Sequence, residues 1–178
     1  LLVMNARQVV RENVPGDFAE LGVYKGNSAK VLAEIARRGG RRIFLFDTFE
    51  GFDPADVQSF APEIRSAFND TSLEMVKTFV GEDGVTYVPG KFPESLSTAE
   101  LPEQFALVHL DCDLYEPMKA GLQYFYPRTA PGAMFILHDY GSGHWPGIAR
   151  AVDEFLTDKP ERLVLMPDES GTAMFRKW

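Results

Sequence analysis

Short apolar runs alternate along this chain with stretches in which apolar residues recur every three or four positions. Strand side chains alternate between two faces, whereas helix side chains return after about 3.6 residues, so the two patterns predict different elements. DFAELGV (17–23), RRIFLFD (41–47), GVTYVPG (84–90), FALVHLD (105–111) and PGAMFILHD (131–139) read as strands. Residues 1–12 read as a short helix, and Ala29, Val31, Leu32, Ile35 and Ala36 predict a second, with Asn27 or Ser28 as its N-cap. A further helix falls near 70–80, and Pro117 opens one that carries Met118, Leu122, Phe125 and Tyr126 on one face. PGIARAVDEFL (146–156) is amphipathic through Ile148, Ala151, Val152, Phe155 and Leu156. RLVLMP (162–167) and GTAMFRKW (171–178) predict a terminal hairpin through the Pro167–Gly171 turn. Residues 48–70, rich in Asp, Phe and Pro, read as a long excursion over the sheet.

Strands alternating with helices imply an α/β fold on a doubly wound, mostly parallel sheet of seven strands with an antiparallel C-terminal strand. Residues 1–178 are expected to be one domain, with 1–16 the N-terminal helical segment of a trimmed chain, because the sequence starts at Leu1 without methionine. Ligands of such sheets bind beyond the carboxyl ends of the strands. Here those ends read Gly22-Val23-Tyr24, Asp47, Gly90-Lys91, Asp111-Cys112-Asp113 and His138-Asp139.

Composition narrows the partners. With 45% hydrophobic residues and 14 phenylalanines the chain can build a core, and its net charge of −8 disfavours nucleic acid or an anionic membrane surface as partner. RRGGRR (37–42) fits a helix C-terminus, where cations are favoured and glycine stops the helix. The single cysteine, Cys112, allows no intrachain disulfide and fits a reducing, cytoplasmic setting. No signal-peptide pattern and no apolar run of about 20 residues is present.

Three stretches carry chemistry. ELGVYKGNS (20–28) is a glycine-spaced strand-to-helix turn: Gly22 and Gly26 let the backbone approach a ligand, and a helix start offers free N–H groups. It lacks the three-glycine dinucleotide pattern, because position 20 is Glu. Asp47, closing the second strand, is placed to accept ribose hydroxyls or else to cap a turn. Asp111 and Asp113 share a face if the chain stays extended. They could then serve as an aspartate phosphatase pair, as metal ligands for a nucleotide-sugar transferase, or as one metal ligand and one proton acceptor. With Asp111, the pair His138-Asp139 offers oxygen and nitrogen ligands that would suit a hard ion such as Mg²⁺. His109 sits inside its strand as a core histidine, and His144 lies in a glycine-rich loop as a substrate contact or a plain loop residue.

Taken in order from about residue 17 to 156, ELGVYKGNSAKVLA, LFDTFEGF, KFPESL, LDCDLYEPMKAGLQYFYPRTAPGAMFILHDYG and GIARAVDEF resemble the macrocin O-methyltransferase (TylF/MycF-like) family of class I S-adenosylmethionine-dependent methyltransferases. The resemblance implies a Rossmann-like methyltransferase fold and an enzyme that methylates a hydroxyl of a sugar or natural-product acceptor. It implies S-adenosylmethionine over the strand tips, with Glu20, Gly22 and Gly26 at the methionine part and Tyr24, Ser28 and Asp111 counted among the contacts. Asp47 would meet the ribose, and Thr48, Phe49, Lys91 and Phe92 would lie near adenine. Asp111, His138 and Asp139 fall on the Mg²⁺ ligand positions and Asp113 on the general base. The family often has two adjacent aspartates where this chain has His138-Asp139, and imidazole suits transition metals better, which gives His138 a second reading as a base or hydrogen-bonding group. Phe49, Phe52, Phe60, Tyr140 and Trp145 offer apolar faces for an acceptor, or ordinary core. The expected partner is a small hydroxylated molecule, and a homo-oligomer is compatible with the sequence. The alternatives are a phosphohydrolase using Asp111 and Asp113 and a non-catalytic S-adenosylmethionine-binding domain.

Overall fold

The run Phe105–Leu110 forms strand β4 and is buried at every position, as a central strand covered by helices on both faces must be. It lies in a seven-stranded sheet with β1 (Asp17–Leu21), β2 (Ile43–Asp47), β3 (Val85–Pro89), β5 (Thr129–Leu137), β6 (Val164–Leu165) and β7 (Ala173–Arg176). The computed structural model describes all of residues 1–178. The strand order is β3-β2-β1-β4-β5-β7-β6, with β1 to β5 parallel and β7 antiparallel to β5 and β6. The chain therefore winds outward from β1 to β3 and then returns to lay β4 on the other side of β1. That reversal leaves a crevice beyond the carboxyl ends of β1 and β4, where open α/β sheets take their ligands.

Alternation along the strands sorts the core into two layers. Phe18, Ile43, Leu45, Leu107 and Ile136 pack against α1 (Leu2–Arg11), α2 (Asn27–Arg38) and, after the short α3 (Pro62–Arg65), α4 (Leu73–Val80). Ala19, Phe44, Phe46, Val108, Leu110 and Phe135 face α5 (Tyr115–Phe125) and α6 (Pro146–Leu156). Phe125 is the hub of that second layer: its ring lies 5.1 Å from Phe105, 5.5 Å from Phe46 and 5.8 Å from Phe92. Basic residues close α2 at Arg37 and Arg38, and Gly39 caps it, as the RRGGRR pattern implies.

Four local expectations are corrected. Neither Asn27 nor Ser28 caps α2; Gly26 does, in the left-handed region at φ 84°, and no side chain contributes. Helix α5 starts at Tyr115 rather than at Pro117, which the first turn tolerates because its N–H would have had no helical acceptor. Strand β4 ends at Leu110 and Asp113 has φ +61°, so the extended-chain argument that put Asp111 and Asp113 on one face does not apply. Strand β5 ends at Leu137, leaving His138 and Asp139 in the turn that follows.

Phe125→Ala removes a fully buried ring and is expected to cost about 3–5 kcal/mol in urea unfolding. Met75→Ala, at a 55% exposed position, is expected to stay within about 0.5 kcal/mol of the parent.

Candidate active site

Where β1 and β4 end side by side, the chain leaves β1 through Gly22. A Cβ on this residue would stand 1.9 Å from the carbonyl oxygen of Asp111, and its φ is +89°, so both space and backbone require glycine. The turn Gly22–Gly26 then delivers the start of α2 to one wall of a cavity of about 390 Å³. Asp47, at the tip of β2, holds this turn. Its Oδ2 accepts the N–H groups of Val23 (2.6 Å) and Tyr24 (2.9 Å), and its Oδ1 accepts that of Phe49 (2.7 Å). Three backbone donors thus occupy most of the carboxylate, Thr48 Oγ1 lies 3.4 Å from Oδ1, and Asp47 lines the cavity.

Asp111, Asp113, His138 and Asp139 line the same cavity from the tips of β4 and β5. His138 Nδ1 lies 2.9 Å from Asp111 Oδ1 and 2.8 Å from Asp139 Oδ2, so the imidazole sits between two carboxylates. Hydrogen bonds to Asp111 and Asp139 push its pKa up to about 10 against the opposing effect of burial. Burial works to raise Asp139, but the hydrogen bond and charge of His138 outweigh it and hold that carboxyl below its usual range. Asp113 has no such partner. Desolvation first, then the negative charges of Asp111 and Asp139, push its pKa up to about 8. Cys112 between the two acids is likewise driven well upward, chiefly by burial, which leaves it a packing thiol.

Asp111, His138 and Asp139 each offer one ligand atom, and the three atoms lie within 4.8 Å of one another. Two carboxylate oxygens and an imidazole nitrogen at this spacing fit a divalent ion, although the nitrogen departs from the all-oxygen set that Mg²⁺ favours.

Of the cofactor contacts expected from the sequence, Gly22, Tyr24, Ser28, Asp47, Thr48, Lys91, Phe92 and Asp111 line the cavity. Glu20, Gly26 and Phe49 stand behind the wall. Glu20 and His109 are register partners on adjacent strands and are both buried, with His109 Nδ1 2.9 Å from Glu20 Oε1. The Ser28 hydroxyl donates to the same oxygen at 2.5 Å, while Glu20 Oε2 has no partner. Gly26 is covered by Val76 and Val80 of α4, and Phe49 packs on Tyr87.

The structure adds residues that spacing did not reveal. Asp70 draws Lys25 (2.5 Å) and Tyr24 (2.5 Å) to one end of the 48–70 excursion, and Lys91 reaches Asp56 (2.7 Å) and Asp53 (3.5 Å) at the other. Phe68 links Tyr24 to Phe52, and Phe52 meets Trp145, so an edge-to-face aromatic series crosses the cavity mouth. Lys25 and Asp70 are 45 positions apart. No local periodicity could signal such a pairing; only the charge complement of the excursion hinted at it.

A seven-stranded, mostly parallel sheet with a glycine turn after β1, an acid closing β2 and a carboxylate cluster after β4 defines a Rossmann-like methyltransferase fold. The macrocin O-methyltransferase (TylF) family model matches residues 2–164, and the chain belongs to that family of enzymes. Curated relatives include a tetracenomycin rhamnosyl 4'-O-methyltransferase from Streptomyces olivaceus, 31% identical over 146 residues, covering 74% of this chain and 56% of the relative. They also include the mycinamicin III 3''-O-methyltransferase of Micromonospora griseorubida, 29% identical over 162 residues, covering 82% and 62%. This chain therefore spans between about half and two thirds of these relatives' length. Among solved structures, the O-methyltransferase NovP superposes with a TM-score of 0.83 at 27% identity, covering 98% of this chain and 78% of NovP. The calicheamicin methyltransferase CalS11 superposes with a TM-score of 0.76 at 25% identity, covering 98% and 77%.

The shifted groups make stability depend on pH. Folded Asp113 keeps its proton to about pH 8, while the unfolded carboxyl releases it near the ordinary value of about 3.9. Stability from this group is therefore whole below about pH 4 and falls as pH rises toward 8, by at most about 1.4 kcal/mol per unit. His138 continues the decline from about 6.5 to about 10. In denaturant titrations with a chelator present, Asp113→Asn should be more stable than the parent at pH 8, with the advantage vanishing toward pH 4.

Proposed function

We propose that residues 1–178 form one class I methyltransferase domain that transfers a methyl group from S-adenosylmethionine to a hydroxyl of a sugar or another natural-product acceptor. The observation that carries this reading is the meeting, in one cavity, of the Gly22–Ser28 turn and Asp47 with the unpartnered carboxyl of Asp113. A phosphohydrolase would need Asp111 and Asp113 but would leave the turn and Asp47 without a purpose. Family membership supports the same choice, as do relatives named as O-methyltransferases of a rhamnosyl-tetracenomycin and of mycinamicin III.

In this reading Gly22, Tyr24 and Ser28 take the methionine part of the cofactor, with Gly26 and Glu20 supporting the turn from behind. The Asp47 carboxylate at the cavity wall accepts a ribose hydroxyl, and Thr48, Lys91 and Phe92 border the adenine, with Phe49 packed beneath. The sulfonium already makes the methyl electrophilic, so the protein's task is to bring an acceptor oxygen into line with the carbon–sulfur bond and to remove its proton. Asp113 is the proton acceptor. Its raised pKa makes it a stronger base than an ordinary carboxylate, and a cationic sulfonium beside it favours the ionised form needed to act. As the oxygen–carbon bond forms and the carbon–sulfur bond breaks, the hydroxyl proton passes to Asp113 and the sulfur leaves as a neutral thioether. His138 keeps Asp111 and Asp139 together as their shared hydrogen-bonding partner. Asp111, His138 and Asp139 would hold a divalent ion, Mg²⁺ in the family pattern, whose chemistry is to polarise a bound hydroxyl.

Calorimetry with S-adenosylhomocysteine tests the cofactor assignment: the parent protein should bind it, and Asp47→Ala should weaken binding about tenfold or more. Absence of binding at millimolar ligand would refute methyl transfer. Asp113→Asn should bind S-adenosylhomocysteine as the parent does yet lose about 10²–10⁴ in turnover on any acceptor the parent methylates.

A further inference from the structure

We infer that the tip of the β6–β7 hairpin belongs to the catalytic apparatus, with Gly171 as the positioning residue that holds the turn carrying His138 and Asp139. The inference rests on the methyl-transfer reading and adds to it a residue from outside the cavity wall, since Gly171 does not line the cavity. The antiparallel register that pairs Leu137 of β5 with Ala173 of β7 brings Gly171 alongside the turn that follows β5.

Asp139 sits between two backbone ties. On one side the His138 N–H donates to Leu110 O at 2.9 Å, which fixes the turn to the tip of β4. On the other the Gly141 N–H donates to Gly171 O at 2.8 Å. Asp139 itself has φ +62°, a left-handed conformation that a residue with a side chain keeps only where its surroundings enforce it. The turn's own bonds are long: Asp139 O accepts the Ser142 N–H at 3.4 Å and the Ser142 hydroxyl at 3.3 Å. The short tie to the hairpin is therefore what keeps Asp139 Oδ2 at 2.8 Å from His138 Nδ1.

The tip can serve as an anchor because it is held from within. The Met166 N–H donates to Thr172 O at 2.8 Å, Asp168 Oδ1 accepts the Thr172 N–H at 2.8 Å, and Thr172 is buried. The contact is so close that only glycine fits. A Cβ on Gly171 would stand 2.4 Å from Gly141 C and 2.5 Å from Ser142 N, backbone atoms that cannot swing aside, and its φ is +57°. Any side chain here pushes the 139–142 turn off the hairpin. The cofactor turn is remote from this contact: it follows β1, which β4 and β5 separate from β7.

Gly171→Ala tests this, with Gly40→Ala as its control: Gly40 also has a left-handed φ, +68°, but a Cβ there meets nothing within 4 Å. Long-range ¹H–¹⁵N spectra with a chelator present resolve the chain's three histidines. Gly171→Ala should shift the Nδ1 signal of His138 as its bond to Asp139 opens, while His109, held by Glu20 inside the sheet, keeps its nitrogen signals. S-adenosylhomocysteine should bind within about twofold of the parent by calorimetry. On any acceptor the parent methylates, kcat should fall about tenfold or more with the KM for S-adenosylmethionine unchanged. Gly40→Ala should leave both His138 and kcat as in the parent. If Gly171→Ala does not fold, Gly141→Val builds the same collision from the other side and should give the same His138 shift. Unchanged His138 signals in the folded variant, an equal shift in Gly40→Ala, a shift with kcat unchanged, or a loss of cofactor affinity as large as the loss of kcat overturns the inference. If the parent itself binds no S-adenosylhomocysteine, the methyl-transfer reading falls separately, and the His138 signals still decide whether Gly171 positions the turn.

Discussion

The close approach of Gly22 to the backbone of Asp111 is the constraint on which the rest of the site depends. The Asp111 N–H donates to Leu21 O at 2.8 Å, and Gly22 N–H donates to Phe46 O at 2.9 Å, so three strand tips are tied at one point. A side chain at Gly22 would force the ends of β1 and β4 apart. The glycine turn would then lose its place beside the carboxylates. Because the sheet reverses its winding direction between β1 and β4, this is also the one place where neighbouring connections leave on opposite sides and open a crevice.

Around that point the molecule gathers charges that folding alone would separate. Asp111, Asp113 and Asp139 share one end of the cavity, and a single imidazole sits between two of them. Asp113 is left with a carboxyl that resists ionisation, because it is desolvated beside two other acids. A well-solvated carboxylate would ionise at its ordinary pH and show no such resistance. The apolar layers beneath absorb the cost. Every position of β4 is buried, and the phenylalanines between the sheet and α5 form a closely packed aromatic set.

The excursion after β2 plays a different part. It contributes little to the core. Its acids bind one lysine on each side of the crevice, and its phenylalanines join Tyr24 to Trp145. Part of the cavity wall is therefore made from a segment of low regularity pinned at both ends to regular elements.

Periodicity alone determined the elements, their order and the doubly wound class, because burial on one face or on both writes itself into the spacing of apolar residues. The residues at strand ends pointed to the site for the same reason: Asp47, Asp111 and His138-Asp139 stand where apolar runs stop. Tertiary structure decided what each of them touches. Glu20 reads as a cofactor contact in the sequence, yet it pairs with His109 across the register of β1 and β4 and is sealed inside. Asp113 leaves the face predicted for it because the chain turns through a left-handed residue, a choice made by the start of α5 and not by strand alternation. The pairing of Lys25 with Asp70 and the seat of His138 between two acids depend on distances that close only when the sheet forms. Local pattern records which face of an element is buried. Which charges meet across the crevice is set by long-range packing, and that leaves no period in the chain.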